Sequence, residues 1–367
     1  MPAGGGAELE AKVGRVWIHW ICSFAFAMIV AVVVVEALLR FGVAPNISYE
    51  RQRLYGPEMA AKKALFIGDS FMAHDHVGRK CFTGIVAAVE NKGLALVNAA
   101  VPNTGPIDYL SQMKIQYGRR QFDSTYLFFY VGNDVTDTSG HNMYVWSTRT
   151  MLKSWARDAV LGSYLYNFYV QKRNEIAWSR AGGGNAVAVE IADERLAAAV
   201  RSGKMPVHHL STALNNTRPE LFLENLLLAS EKSQAAWVRI EQLLDEMLEI
   251  SRRKGTKLSI VVFPAAVQVD KSHFTFAELL GMQTDEATLV EAQPQRRLAR
   301  YCTSRGLRCL DLLPDFRANR GIPLYLEYDD HLSPAGNELA AKRISEFLLS
   351  NEGLGGGAPH DLGDRDP

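Results

Sequence analysis

The sequence predicts a three-layer α/β/α domain on a parallel sheet, tethered by one N-terminal membrane helix. Three observations carry this. Short apolar runs end abruptly at glycine or proline, as in Ala64-Leu65-Phe66-Ile67-Gly68 and Thr125-Tyr126-Leu127-Phe128-Phe129-Tyr130-Val131-Gly132. Such runs suit strands buried on both faces of a parallel sheet. Helix-length stretches alternate with these runs, which is the pattern of βαβ units. Finally, Val16 to Val35 is interrupted only by His19 and Ser23 among otherwise apolar residues and Gly-free chain, and about 20 such residues span a bilayer core.

Taken in order, residues 1–15 form an N-terminal tail and residues 16–39 the membrane helix, with Trp17 and Trp20 suited to one interface and Arg40 to the other. A cleaved signal peptide is the rival, but its apolar region runs only about 7–15 residues and ends in a small-residue site, which Glu36-Ala37-Leu38-Leu39-Arg40 does not supply. Residues 40–62 read as a linker carrying Pro45, Gly56 and Pro57. The main domain spans residues 63–350, with a helical insertion at about 135–218, and residues 351–367 form a disordered Gly/Pro/Asp tail.

Within the domain, strand 64–67 leads to a helix over 71–91, strand 94–97 to a helix over 107–117, and strand 125–131 to the insertion. A long helix over 219–253, strand 258–263, a helix over 294–305 and strand 307–312 follow. Ser333 is a natural N-cap with Pro334 at the first helical position, opening a helix to Leu349. The aromatic and basic segment from Trp146 to Arg173 suits a membrane-surface or sugar-stacking face, but rings packed on the sheet are the preferred reading.

Forty basic and forty acidic residues give a formal charge of zero, which removes any general electrostatic reason to expect nucleic acid. Cys302 and Cys309 flank Gly306 and are placed to pair in an oxidising compartment, although buried thiols are the preferred expectation.

Chemistry concentrates at element ends. Gly68-Asp69-Ser70 delivers a serine to the mouth of a parallel sheet, where ligands bind. Gly132-Asn133-Asp134 sets a carboxamide at a second strand end, where it can donate to a developing oxyanion. Asp329-Asp330-His331 places acids and an imidazole just before a helix. A serine hydroxyl needs such a base within hydrogen-bond reach. In an extended stretch side chains at i and i+2 share a face, so Asp329 rather than Asp330 is expected to orient His331. Asp69 is expected to organise its turn through backbone hydrogen bonds. His74-Asp75-His76 and His208-His209 are read as solvated surface, and no metal site or cofactor is expected.

These blocks resemble the SGNH (GDSL-type) hydrolases, more closely their membrane-anchored bacterial members, over about residues 36–349 except a poorly matched interval at about 180–215. The resemblance implies a flavodoxin-like sheet, Ser70 as nucleophile and Asn133 as an oxyanion donor. Ser70, Asp329 and His331 then form the catalytic set, and the Ser70 backbone joins the oxyanion hole. Two departures stand out. Tyr328 occupies the position three before His331 where an acid is common, so Asp329-Asp330-His331 is matched to the Asp-x-His variant. Asn103 stands where block two has glycine, leaving Asn103 and Gly105 both open as the second backbone donor.

The function implied is an esterase acting on small acyl groups, acetyl among them, of a cell-envelope or exported polysaccharide, with the catalytic domain outside the cytoplasm. The partners expected are an acyl-ester substrate of carbohydrate type and the membrane, not nucleic acid. O-acyl transfer to sugar hydroxyls, lipase or thioesterase activity, and a non-catalytic envelope assembly role are the alternatives. Lys12 and Arg15 before the helix balance Arg40, Arg51 and Arg53 after it, so charge alone does not orient the span.

Overall fold

The computed structural model describes residues 5–40, 53–57, 59–73, 79–102, 104–138, 163, 165, 168–169, 172, 194–202, 205, 209, 213 and 218–354. Asn103, His74-Asp75-His76, His208, most of the aromatic segment, the Gly182 region and the tail beyond residue 354 lie outside these.

Helix α1 (Gly5–Arg40) contains one stretch long and apolar enough to cross a membrane, His19–Leu39. The helix extends well before it; at 1.5 Å per residue its 36 residues reach about 54 Å. Trp17 and Trp20 are exposed near its start. Its last turn is fastened to the insertion, for Glu36 accepts hydrogen bonds from Ser163 Oγ at 2.9 Å and from the Leu165 backbone at 2.7 Å. Tyr169 is 59% exposed and Phe168 half-buried, while the other rings expected to pack on the sheet lie outside the described residues.

Among the described residues the sheet has six strands, β1 (Leu54–Tyr55), β2 (Lys62–Ile67), β3 (Leu94–Asn98), β4 (Ser124–Tyr130), β5 (Lys257–Phe263) and β6 (Arg308–Asp311), in the order β1-β3-β2-β4-β5-β6. Five are parallel. β1 pairs antiparallel with β3, Leu54 opposite Val97, so the sheet is mixed, and part of the stretch read as linker is an edge strand. Two residues are too few to show a periodic signal. Five parallel strands need crossovers, which the helices supply.

Alternation along β4 shows two covered faces. Thr125 and Phe129 meet helices α3 (Pro106–Tyr117) and α4 (Glu231–Lys254): Tyr117 Oη lies 2.8 Å from Thr125 Oγ1, and Phe129 stacks on Trp237 at 6.0 Å. On the other face Tyr126 meets helix α6 (Pro334–Glu352), donating to Glu352 at 2.7 Å. Helix α2 (Arg79–Val89) covers the same face, with Phe82 edge-on to Phe66 at 6.0 Å. Helix α5 (Gln293–Arg305) precedes β6.

Differences from the sequence reading are local. Phe71 and Met72 form a turn where the helix was expected to begin, and the next described helix starts at Arg79. The long helix expected over 219–253 is two helices, Leu221–Leu226 and α4, broken where Leu228 takes a φ of 53° and Ser230 caps the next start through Ser233 N–H at 3.0 Å. Cys302 and Cys309 form a disulfide between α5 and β6, with Cα atoms 6.3 Å apart, where buried thiols had been preferred. A local turn around Gly306 brings the two together.

Candidate active site

The strand order fixes where a ligand can sit. From β2 the chain crosses to β3 on one side and then to β4 on the other, so the order reverses between β2 and β4, and the crevice beyond their carboxyl ends is a switch point. Ser70 follows β2 and Asn133 follows β4, one on each side of it.

The Ser70 turn is built from close approach and backbone bonds. A Cβ on Gly68 would lie 2.8 Å from Phe128 Cβ, so only glycine lets β2 leave the sheet so near β4. Asp69, buried, accepts from the Phe71 backbone at 3.0 Å, the organising role expected of it. Asn98 at the end of β3 donates to Met72 O at 2.6 Å and accepts from Ala100 N–H at 3.0 Å, tying the turn to the neighbouring strand. Phe71 stacks on Tyr130 at 4.1 Å and lies 5.3 Å from the His331 ring.

The acid–base loop is pinned at its base. Tyr325 bridges Leu332 and donates to Pro264 O at 2.6 Å, while Leu326 N–H donates to His331 O at 3.0 Å. Ser333 caps α6 through Gly336 N–H at 3.1 Å. A Cβ on Gly336 would meet Leu324 O at 2.0 Å, so the first helical turn is pressed against that strand-like segment.

Between these anchors the chain bends rather than runs extended. Asp329 Oδ1 accepts from the His331 backbone at 3.1 Å, an Asx-type turn that brings carboxylate and ring together. His331 Nδ1 lies 2.5 Å from the same oxygen and Nε2 lies 2.7 Å from Ser70 Oγ. Asp330 stands 3.6 Å from Nδ1, and its other oxygen accepts from Tyr130 Oη at 3.1 Å. The turn therefore selects the acid that alternation had selected, for a different physical reason.

Of the other expected residues, Asn133 sits half-buried in the turn after β4, its carbonyl accepting from Thr136 and Asp137 N–H at 3.0 Å each. Gly105 caps α3. Its N–H is already donated to Asp108 Oδ2 at 3.3 Å, a bond it would have to leave to serve an oxyanion. Asp134, fully buried, accepts from Tyr109 Oη at 2.8 Å and Tyr130 N–H at 2.9 Å, latching α3 to the end of β4.

Burial disfavours an imidazolium at His331, but the hydrogen bond to Asp329 and the charges of Asp330, Asp329 and Asp69 outweigh it and raise its pKa to about 9. Burial alone would raise Asp329; the imidazoles of His209 and His331 instead hold its carboxyl well below the usual range. Asp69 and Asp108 are pushed up to about 7 and Asp137 to about 6, each chiefly by burial.

His209 corrects the surface reading. Its side chain is 12% exposed and its Nε2 lies 3.6 Å from Asp329 Oδ1. Leu196, Ala199 and Met205 cluster with Phe276, Leu279 and Leu280 and draw that segment onto the domain. A histidine pair in a stretch without periodicity offers no sequence signal for this contact. His209, Asp329 and Asp330 present donor atoms within 4.8 Å of one another. Asp329 is engaged by His331 and Asp330 by Tyr130, so the group reads as the acid side of the site.

A family model described as the SGNH hydrolase-like domain of the acetyltransferase AlgX matches residues 221–364. That interval contains the Asp329–His331 loop and lies wholly after Ser70 and Asn133. Among solved structures the chain is similar to an acetyl xylan esterase, AlAXEase, at 12% identity over 77% of this chain and 97% of that one, with a TM-score of 0.35. So distant a likeness carries no functional argument. No curated protein matches the chain.

Proposed function

We propose, for a chain that carries an SGNH hydrolase-like domain, that it is a membrane-anchored serine esterase acting on small acyl esters through an acyl-Ser70 intermediate. The observation that carries this reading is the hydrogen-bonded line from Ser70 Oγ through His331 to Asp329 at the sheet's switch point.

In the reading proposed, His331 with Nε2 deprotonated accepts the Ser70 hydroxyl proton as Oγ attacks the acyl carbon. Asp329 holds the Nδ1 proton and stabilises the imidazolium that forms. The Ser70 N–H and the Asn133 carboxamide are the proposed donors to the oxyanion; Gly105 would join only by leaving Asp108, and Asn103 is the other block-two candidate. The imidazolium then protonates the leaving alkoxide, releasing an alcohol and leaving acyl-Ser70. Water, activated by the same imidazole, returns the free serine and a carboxylic acid.

A second reading, transfer of the acyl group to a sugar hydroxyl in place of water, is favoured by the description of the matched family as an acetyltransferase. The same description makes acetyl the first acyl group to try.

Incubating the full chain with a fluorophosphonate probe should label Ser70, and Ser70→Ala should abolish both the label and p-nitrophenyl acetate turnover. An unlabelled, inactive wild-type protein would sink the esterase reading and leave a scaffold role. Supplying an oligosaccharide acceptor separates the two readings, because transfer yields O-acetylated sugar and hydrolysis yields acetate.

We place residues 64–349 outside the cytoplasm in this proposal, tethered by the apolar stretch of α1. The length of that stretch and the Cys302–Cys309 disulfide, which persists in oxidising compartments, support it. Fusions after Lys62 are expected to be active with alkaline phosphatase and silent with a cytoplasmic reporter. The opposite pattern would refute the topology.

A further inference from the structure

His209 stands at the oxygen on which the whole acid–base pair turns. Asp329 Oδ1 already receives the His331 backbone N–H at 3.1 Å and ring Nδ1 at 2.5 Å, and His209 Nε2 approaches that same atom to 3.6 Å. The contact is held from the side. The His209 ring is edge-on to Phe276 at 5.2 Å, and Phe276 is edge-on to Tyr328, the neighbour of Asp329, at 6.5 Å. With 12% and 9% exposure respectively, the His209 and Asp329 side chains face each other largely out of water, where an electrostatic contact is screened least.

We propose that His209 is a positioning residue for the proposed acid–base pair, steering the Asp329 carboxylate and sharing its negative charge so that His331 is held less tightly as an imidazolium. The proposal rests on the esterase reading for its catalytic meaning but not for its physical content. With its proton on Nε2, His209 would present a donor 3.6 Å from Oδ1 and favour the carboxylate orientation that meets Nδ1. It also draws on the charge that stabilises protonated His331, so removing it should make His331 more basic.

Other groups face His331 as well. Asp330 comes from its own loop, Asp69 and Ser70 come from the turn after β2, and Tyr130 acts from the end of β4 through Asp330. All of these residues are retained when His209 is replaced, so the comparison centres on one contact.

The test uses the full chain in detergent micelles, comparing wild type with His209→Phe, which keeps the ring against Phe276, and His209→Gln, which keeps an N–H donor. His331 is titrated by NMR of its Cε1–Hε1 group in a Ser70→Ala background, and p-nitrophenyl acetate hydrolysis is followed from pH 6 to 10 with Ser70 intact. His209→Phe is expected to raise the His331 midpoint by about one unit. Below that midpoint, one unit means about tenfold less of the basic form, so kcat/KM at pH 7 should fall about tenfold. His209→Gln should recover most of both. An unchanged His331 midpoint in His209→Phe overturns the proposal. If His209→Phe does not fold, His209→Asn, too short to reach Oδ1, makes the same comparison with the same two outcomes. Failure of the esterase reading itself shows separately, as turnover that survives Ser70→Ala, and the NMR midpoint still decides the role of His209.

Discussion

Replacing His331 by alanine is expected to lower acyl-ester turnover on the order of 10⁴–10⁶-fold, with thermal stability checked alongside. Its Nε2 lies 2.7 Å from Ser70 Oγ, and a serine hydroxyl deprived of a base is a poor nucleophile at neutral pH. The same group sets the pH dependence. With its pKa raised to about 9 by the surrounding carboxylates, against the opposing effect of burial, kcat/KM should climb with pH and level off above pH 9. Only the deprotonated ring can take the serine proton. A profile that levels off near pH 6.5, or a His331→Ala loss under tenfold, would contradict this assignment. Stability carries the opposite sign. A folded-state pKa above the ordinary value near 6.5 means that the contribution of His331 to stability is full below about pH 6.5 and is lost as pH rises through about 9. Melting curves between pH 6 and 10 for wild type and His331→Ala should therefore converge at the alkaline end.

Changing Asp329 to asparagine is expected to reduce turnover on the order of 10⁴-fold, while Asp330→Asn should lose less than about tenfold. The two acids are chain neighbours and differ in what they touch. Asp329 Oδ1 is 2.5 Å from His331 Nδ1 and also accepts the His331 backbone N–H, so a carboxamide there disturbs both the ring's tautomer and the bend. Asp330 is 3.6 Å from the ring and receives the Tyr130 hydroxyl, so its replacement mainly loosens the loop's attachment to β4. Measuring p-nitrophenyl acetate turnover for both variants checks the assignment. A larger loss in Asp330→Asn would transfer the orienting role to it.

How far the sequence reaches differs between residues of the same site. Ser70 and Asn133 were legible because each ends an apolar run at a glycine, and a strand end is a local property of the chain. Asp329 was chosen on strand alternation, yet the loop bends and an Asx-type turn makes the pairing. Gly105 looked equally available as a donor; only the folded chain shows its N–H turned to Asp108.

By itself the sequence determined the succession of the five parallel strands, the membrane-length apolar stretch and the residues at the strand ends, since apolar periodicity, glycine punctuation and helix caps act between residues a few positions apart. Tertiary structure alone decided the antiparallel edge strand β1, the disulfide between Cys302 and Cys309, the tie from Glu36 to residues 163 and 165, and the arrival of His209 beside Asp329. Those contacts depend on how finished elements bury one another. His209 and Asp329 stand 120 positions apart in the chain, and no short-range pattern records that a small cluster around Phe276 will bring them together.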